Sequence, residues 1–174
     1  MSLRHAVLGL LSERPASGYD LIKVFNVSLA NVWPATQSQV YTELGKLAKA
    51  GLVSVAAEGP RGRKEYSITE AGLAELRHWI TDVEPTRVRR DDMLLRVFFL
   101  SQIGREEAVA YLREQGEHAR EWHEHLTSLL QFVEDKDADL TQGLATGGRL
   151  ALEWGLRVTA VQQEWATWSE ERIH

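Results

Sequence analysis

Thr36-Gln37-Ser38-Gln39-Val40-Tyr41-Thr42-Glu43-Leu44-Gly45-Lys46-Leu47-Ala48-Lys49-Ala50-Gly51 reads as a helix with two unlike faces. Thr36 is a suitable N-cap, because its hydroxyl can accept a backbone N–H that the first turn leaves free. Gly51 can take the left-handed turn that ends the helix. Val40, Leu44 and Leu47 fall on one side and face a core. Ser38, Thr42, Lys46 and Lys49 project on the other side, with Gln37, Gln39 and Tyr41 beside them. Short hydrogen-bonding side chains at the start and lysines near the end suit a DNA major groove. An ordinary amphipathic surface helix has the same outline, so the neighbours decide.

Upstream, Leu3, Val7, Leu10 and Leu11 predict a first short helix over residues 3–13, closed by Arg14-Pro15. Ser17-Gly18-Tyr19-Asp20 opens a second, with Ser17 as cap and Asp20 placed to reach back to it. Leu21, Val24 and Phe25 supply its buried side, and it fades near Leu29. Downstream, residues 52–56 predict a strand. A turn from Glu58 to Lys64 follows, and Tyr66-Ser67-Ile68 alternates as a half-buried strand does. Three helices and a hairpin in this order make a winged helix. Its wing carries Arg61, Arg63 and Lys64, placed for phosphates or a minor groove. Thr69-Glu70-Ala71-Gly72 starts a fourth helix through Leu73, Leu76, Trp79 and Ile80.

Pro85 ends the first half, and the expected domains are 1–83 and 84–174. Asp91-Asp92 caps a short helix too apolar to lie exposed, with Leu94 and Phe98 on it. Residues 105–134 place Ala108, Leu112, Gln115, Ala119, Trp122, Leu126, Leu129 and Val133 in alternating steps of four and three. Such a seam is heptad-like. Residues 148–172 repeat it with Ala151, Trp154, Val158, Val161, Trp165 and Trp168. Two long helices joined by a turn over 135–139 form an antiparallel pair, which packs on its copy in a second subunit. The expected dimer interface is Leu94, Phe98, Trp122, Leu126, Leu129, Trp154, Val158, Val161 and Trp165.

The composition removes several classes. The 174 residues contain no cysteine, which excludes disulfides and thiolate zinc sites. The first residues do not read as a signal peptide and no run reaches the length of a membrane span, so no membrane partner and a cytoplasmic location are expected. The net charge of −5 is unevenly placed: residues 1–83 carry nine Lys/Arg and eight Asp/Glu, while 84–174 carry eleven and seventeen. A DNA-binding first half needs only a local basic patch. Glu117, His118, Glu121 and His125 have zinc-like spacing, but they flank a seam where charge is the rule, so no metal is expected. Neither a nucleophile elbow nor a phosphate-binding glycine loop is present, so the chain does not read as an enzyme, and no cofactor is expected. Four of the six tryptophans lie in the acidic half. They read either as packing or as a pocket for a flat ligand.

Four motifs together resemble the PadR family of bacterial transcriptional regulators: Ala6 to Leu11, Ser17 to Leu21, Ser38 to Leu44 and Gly62 to Gly72. Arg90 to Leu95 and the two long helices resemble the virulence-activator-type C-terminal domain of its longer branch. The resemblance covers nearly the whole chain and rests on the order of the pieces. It implies a homodimer with a winged-helix DNA-binding domain and a helical dimerisation and effector-sensing domain. It further implies repression through operator DNA, relieved by a small aromatic or phenolic effector. The residues it places on DNA are Tyr19, Ser38, Gln39, Tyr41, Thr42, Arg63 and Lys64. Thr36, Gln37, Lys46 and Arg61 join them by position. Trp154 is the candidate effector residue. A winged-helix adaptor that binds protein and no DNA is the alternative reading of the same elements.

Overall fold

The structure, a computed structural model, describes residues 2–29, 32–58, 63–85, 90–135 and 142–173. Arg61, the wing tip around it and most of the turn over 135–139 lie outside the described residues. The chain divides into two compact units, Met1–Pro85 and Thr86–His174.

The first unit contains α1 (Ser2–Glu13), β1 (Ala16–Ser17), α2 (Gly18–Ser28), α3 (Gln37–Lys49), β2 (Val53–Glu58), β3 (Lys64–Ile68) and α4 (Glu70–Thr81). The strands form an antiparallel sheet in the order β1-β3-β2. β1 is absent from the sequence-based reading. At two residues it is too short to show a period, and it exists because Ala16 and Ser17 pair with Tyr66 and Glu65. β2 runs two residues beyond its expected end, with a bulge between Val55 and Ala57. The core is filled by Val7, Leu8 and Leu11 of α1, Leu21 and Phe25 of α2, and Val40, Leu44 and Leu47 of α3.

One junction fixes α4 on the sheet. Gly51 takes a φ of +71°, as a helix-ending glycine does. The chain then turns so that the Leu52 N–H donates to the Leu47 carbonyl at 3.0 Å, while the Leu52 carbonyl accepts from the Thr69 N–H at 3.1 Å. The Thr69 hydroxyl donates to the Gly51 carbonyl at 2.8 Å and accepts the Gly72 N–H at 3.1 Å, so one side chain caps α4 and fastens it to the end of α3. A Cβ at Gly72 would collide with the Leu52 carbonyl oxygen, which is why glycine stands there.

The second unit contains α5 (Asp92–Phe98), a 3-10 turn at Leu100–Gln102, α6 (Arg105–Asp135) and α7 (Gln142–Glu170). Contacts between the start of α6 and the end of α7, and between their middles, make the pair antiparallel. Arg113 meets Glu170 at 2.9 Å, and His123 Nδ1 lies 2.8 Å from the Thr159 hydroxyl. Leu126, only 1% exposed, packs on Leu152 with Leu129, Leu130 and Leu156 around them. A Cβ at Gly155 would stand 2.8 Å from the Leu126 Cδ1, so the glycine lets the helices close there.

The face of α7 turned to α6 differs from the expected one. Leu152, Thr159, Ala166 and Ser169 are buried; of the expected seam, Ala151, Val158 and Trp165 are half-buried, while Trp154, Val161 and Trp168 are exposed. The expected seam is drawn toward Trp154 and Trp168, whereas close helix packing favours small residues. Leu150, Trp154, Val161 and Trp168 instead form an exposed stripe on the outside of α7.

Candidate nucleic-acid interface

α3 buries Val40, Leu44 and Leu47 and leaves Gln37, Ser38, Gln39, Thr42 and Lys46 exposed. Its start is held by a capping box. The Thr36 hydroxyl accepts the Gln39 N–H at 3.3 Å, and the Gln39 Oε1 accepts the Thr36 N–H at 2.8 Å. Gln39, expected only to read bases, therefore also has a structural task. Its carboxamide oxygen is occupied, and its NH2 group is the end left for outward chemistry.

Tyr41 lies across the start of α2. A Cβ at Gly18 would run into the Tyr41 ring, so that glycine makes room for the ring. The ring remains 44% exposed. Tyr19, on the same turn of α2, is exposed too, and the Lys23 ammonium sits 4.5 Å from its ring centre. Tyr19, Tyr41 and the polar side of α3 thus belong to one surface.

Three cations of this surface have carboxylate partners. Lys46 meets Glu43 at 3.2 Å and Lys64 meets Glu58 at 3.9 Å. Arg63 Nη2 donates to Asp20 Oδ2 at 2.5 Å, and the Ser17 hydroxyl donates to the same oxygen at 2.6 Å. The Ser17 hydroxyl and then the Arg63 guanidinium hold the Asp20 carboxyl below the usual carboxylate range, against an opposing effect of burial. The sequence pattern assigns this carboxylate to the cap of its own helix. Its role at the wing arginine is hidden there, because the two residues are 43 positions apart.

In the second unit, the residues expected to face a partner fall into two groups. Leu94, Phe98, Trp122, Trp154 and Val161 are exposed, Phe98 at 80%. Leu126 and Leu129 pack inside the α6–α7 pair, and Trp165 packs on the cluster of Leu100, Ala108 and Leu112. Val158 is half-buried. These inward residues satisfy the seam within one chain. Trp154, the candidate effector residue, stands on the outer stripe. A recess of about 270 Å³ is instead lined by Met93, Gln115, His118, Trp122, Gln162 and Trp165, among others. Among the described residues no group of three His, Asp or Glu side chains could hold a metal, and no helix is long and apolar enough to cross a membrane.

Residues 7–78 match the transcriptional regulator PadR-like family, and residues 89–174 match the virulence activator alpha C-term family. The negative transcriptional regulator PadR of Bacillus subtilis is 33% identical over 117 residues, which is 65% of this chain and 64% of that protein. A probable transcriptional regulator of Mycobacterium tuberculosis is 37% identical over 98 residues, 54% of this chain and 52% of that one. The matched stretch thus spans less than two thirds of either relative. Over whole folds the likeness is longer. The B. subtilis PadR structure in complex with operator DNA superposes with a TM-score of 0.84, at 26% identity over 100% of both chains. The same protein has been solved with p-coumaric acid, at the same TM-score and identity over 99% of each chain. The Vibrio cholerae virulence activator AphA superposes with a TM-score of 0.80, at 30% identity over 98% of this chain and 97% of its own. These relatives are regulators of transcription and not enzymes. With both halves matched in order, and a winged helix preceding a pair of long helices, the chain is a member of the PadR-like family of transcriptional regulators.

Proposed function

We propose that the chain is a DNA-binding repressor, active in the cytoplasm as a homodimer, whose operator binding is relieved by a small aromatic effector. The observation that carries the DNA reading is the surface of α3. Its apolar side is fully buried, its polar start is rigidly capped, and Tyr41, Tyr19 and the wing residues Arg63 and Lys64 lie on the same unit. Ser38, Gln39 and Thr42 are the base-reading residues. Thr36, Gln37 and Lys46 serve as neighbouring backbone contacts, and Arg61 joins them by its place in the wing. Residues 1–83 form the DNA-binding domain and residues 84–174 the dimerisation and sensing domain. Leu94, Phe98, Trp122, Trp154 and Val161 supply apolar surface for the second subunit.

The effector reading is supported by the relative solved with p-coumaric acid and by the recess between α6 and α7, where Trp122 and Trp165 offer flat apolar walls. A mobility-shift titration on the duplex upstream of the protein's own gene tests the whole reading. Binding that persists against random competitor and weakens as p-coumarate is added is the expected result. A chain that shifts no duplex but captures a protein partner is the adaptor, and sinks the repressor.

A further inference from the structure

We propose that Asp20 is an internal competitor for the wing arginine: it withholds Arg63 from the DNA backbone and so limits how strongly the surface binds any duplex. The inference rests on the DNA-binding reading of this surface.

Three features carry it. First, Asp20 is held on both sides. Its Oδ2 accepts Arg63 Nη2 at 2.5 Å and the Ser17 hydroxyl at 2.6 Å, while its own N–H donates back to Ser17 at 3.3 Å. Second, its anchor does not move freely. Ser17 is 3% exposed and lies in β1, opposite Glu65 of β3, one strand residue from the base of the wing. The carboxylate is thus presented to Arg63 by the sheet itself. Third, the pair lies at the surface, with the Arg63 side chain 61% exposed. A phosphate can reach this guanidinium, but only by displacing Asp20 or by lying beside its negative charge. Both outcomes reduce what Arg63 contributes. The Lys64 pair is looser. Lys64 and Glu58 are 3.9 Å apart and both well exposed, so that pair exchanges for phosphate with little resistance.

Backbone contacts dominate sequence-independent affinity, and each phosphate neutralised adds about 0.9 to the salt slope. Releasing Arg63 therefore raises affinity on random DNA and steepens that slope. Asp20→Asn removes the charge while keeping the side-chain size and the Ser17 cap. The wild-type chain, Asp20→Asn, Arg63→Ala and the double variant are compared by fluorescence anisotropy on a random-sequence duplex across a salt series, with circular dichroism melts to establish folding.

The expected result is binding roughly two- to tenfold tighter for Asp20→Asn, with a slope steeper by about one. Adding Arg63→Ala to the Asp20→Asn variant then removes the gain, while Arg63→Ala in the wild-type chain changes the slope by less than one. A gain that survives in the double variant overturns the inference, because the effect is then mere loss of a negative charge. Weaker or unchanged binding by a folded Asp20→Asn also overturns it. If Asp20→Asn disturbs the start of α2, Asp20→Ser carries the same expectation. A wild-type chain that binds neither random nor upstream duplex at low salt removes the DNA reading itself. Wild-type binding without the Asp20→Asn gain removes only the competitor.

Discussion

Gln39 and Gly18 show how much the first turns of α2 and α3 depend on single side chains. Gln39→Ala loses the Gln39 half of the capping box as well as an amide facing solvent. Thermal or urea melts should show a stability loss of about 0.5–1 kcal/mol. Operator affinity should fall by about 1–3 kcal/mol beyond any loss on random duplex. Equal losses on both duplexes would remove Gln39 from base reading and leave it a cap alone. Gly18→Ala drives a methyl into the Tyr41 ring, which must swing away. Operator binding should weaken while the melt changes little, since the ring is already partly in solvent. Asp20 has a lowered pKa, so its contribution to stability is complete above the ordinary carboxylate range and is lost as pH falls through the lowered value. Asp20→Asn should flatten that acid side of the stability profile.

Among the elements, those with strong local signals are readable from the chain. The caps Ser17, Thr36 and Thr69 and the stop at Gly51 carry their own chemistry, and α3 buries the three residues its period selects. β1 is not readable, because its existence depends on a partner strand far along the chain, at Glu65 and Tyr66. In the long helices, α6 buries Ala108, Leu112, Ala119 and Leu126, as its period requires. α7 misleads through Trp154 and Trp168, which stay exposed. Thr159 is buried because its hydroxyl donates within its own helix, to the Gly155 carbonyl at 3.0 Å, and also faces His123. A polar residue so satisfied costs little to bury, and no apolar count finds it. The pairing of these elements gives a prediction. Leu126→Asp places a charge against Leu152 and Gly155, at a cost of at least the roughly 2–5 kcal/mol of a buried Leu→Ala change. Circular dichroism should show loss of helix from α6 and α7 while the first unit keeps its own melt. Full helicity in this variant would mean that the pair is held from elsewhere.

At the scale of the whole molecule, the outer stripe of α7 is the feature that a lone chain leaves unexplained. Leu150, Trp154, Val161 and Trp168 recur at steps of four, seven and seven, and all stay exposed. A stripe of that kind, with exposed Phe98 on α5, exceeds what scattered surface residues require. Two winged helices meeting successive major grooves must stand roughly 34–36 Å apart, or a multiple of that. A long helical pair is able to set such a spacing. Val161→Glu combined with Trp154→Glu should therefore yield monomers in sedimentation, with helicity retained and tight operator binding lost. A double variant that sediments as a dimer would move the interface off this stripe. The motifs of the two matched families stand in order along the chain, within residues 7–78 and 89–174. Sequence alone could not say which apolar residues of the second half face inward, since both faces of α7 carry heptad spacing.

The pairing of Ala16 with Tyr66 has a consequence for how the protein is made. A ribosome that has released residues up to the end of α3 has released α1 and α2, the helices that lie against α3. It has not yet released the strand that fastens β1, nor Thr69, which ties α4 to the end of α3. The nascent head therefore waits, with the turn before α2 unpaired, until about the start of α4 has emerged. Synthesis stalled before Arg63 leaves the first three helices without the arginine that Asp20 grips.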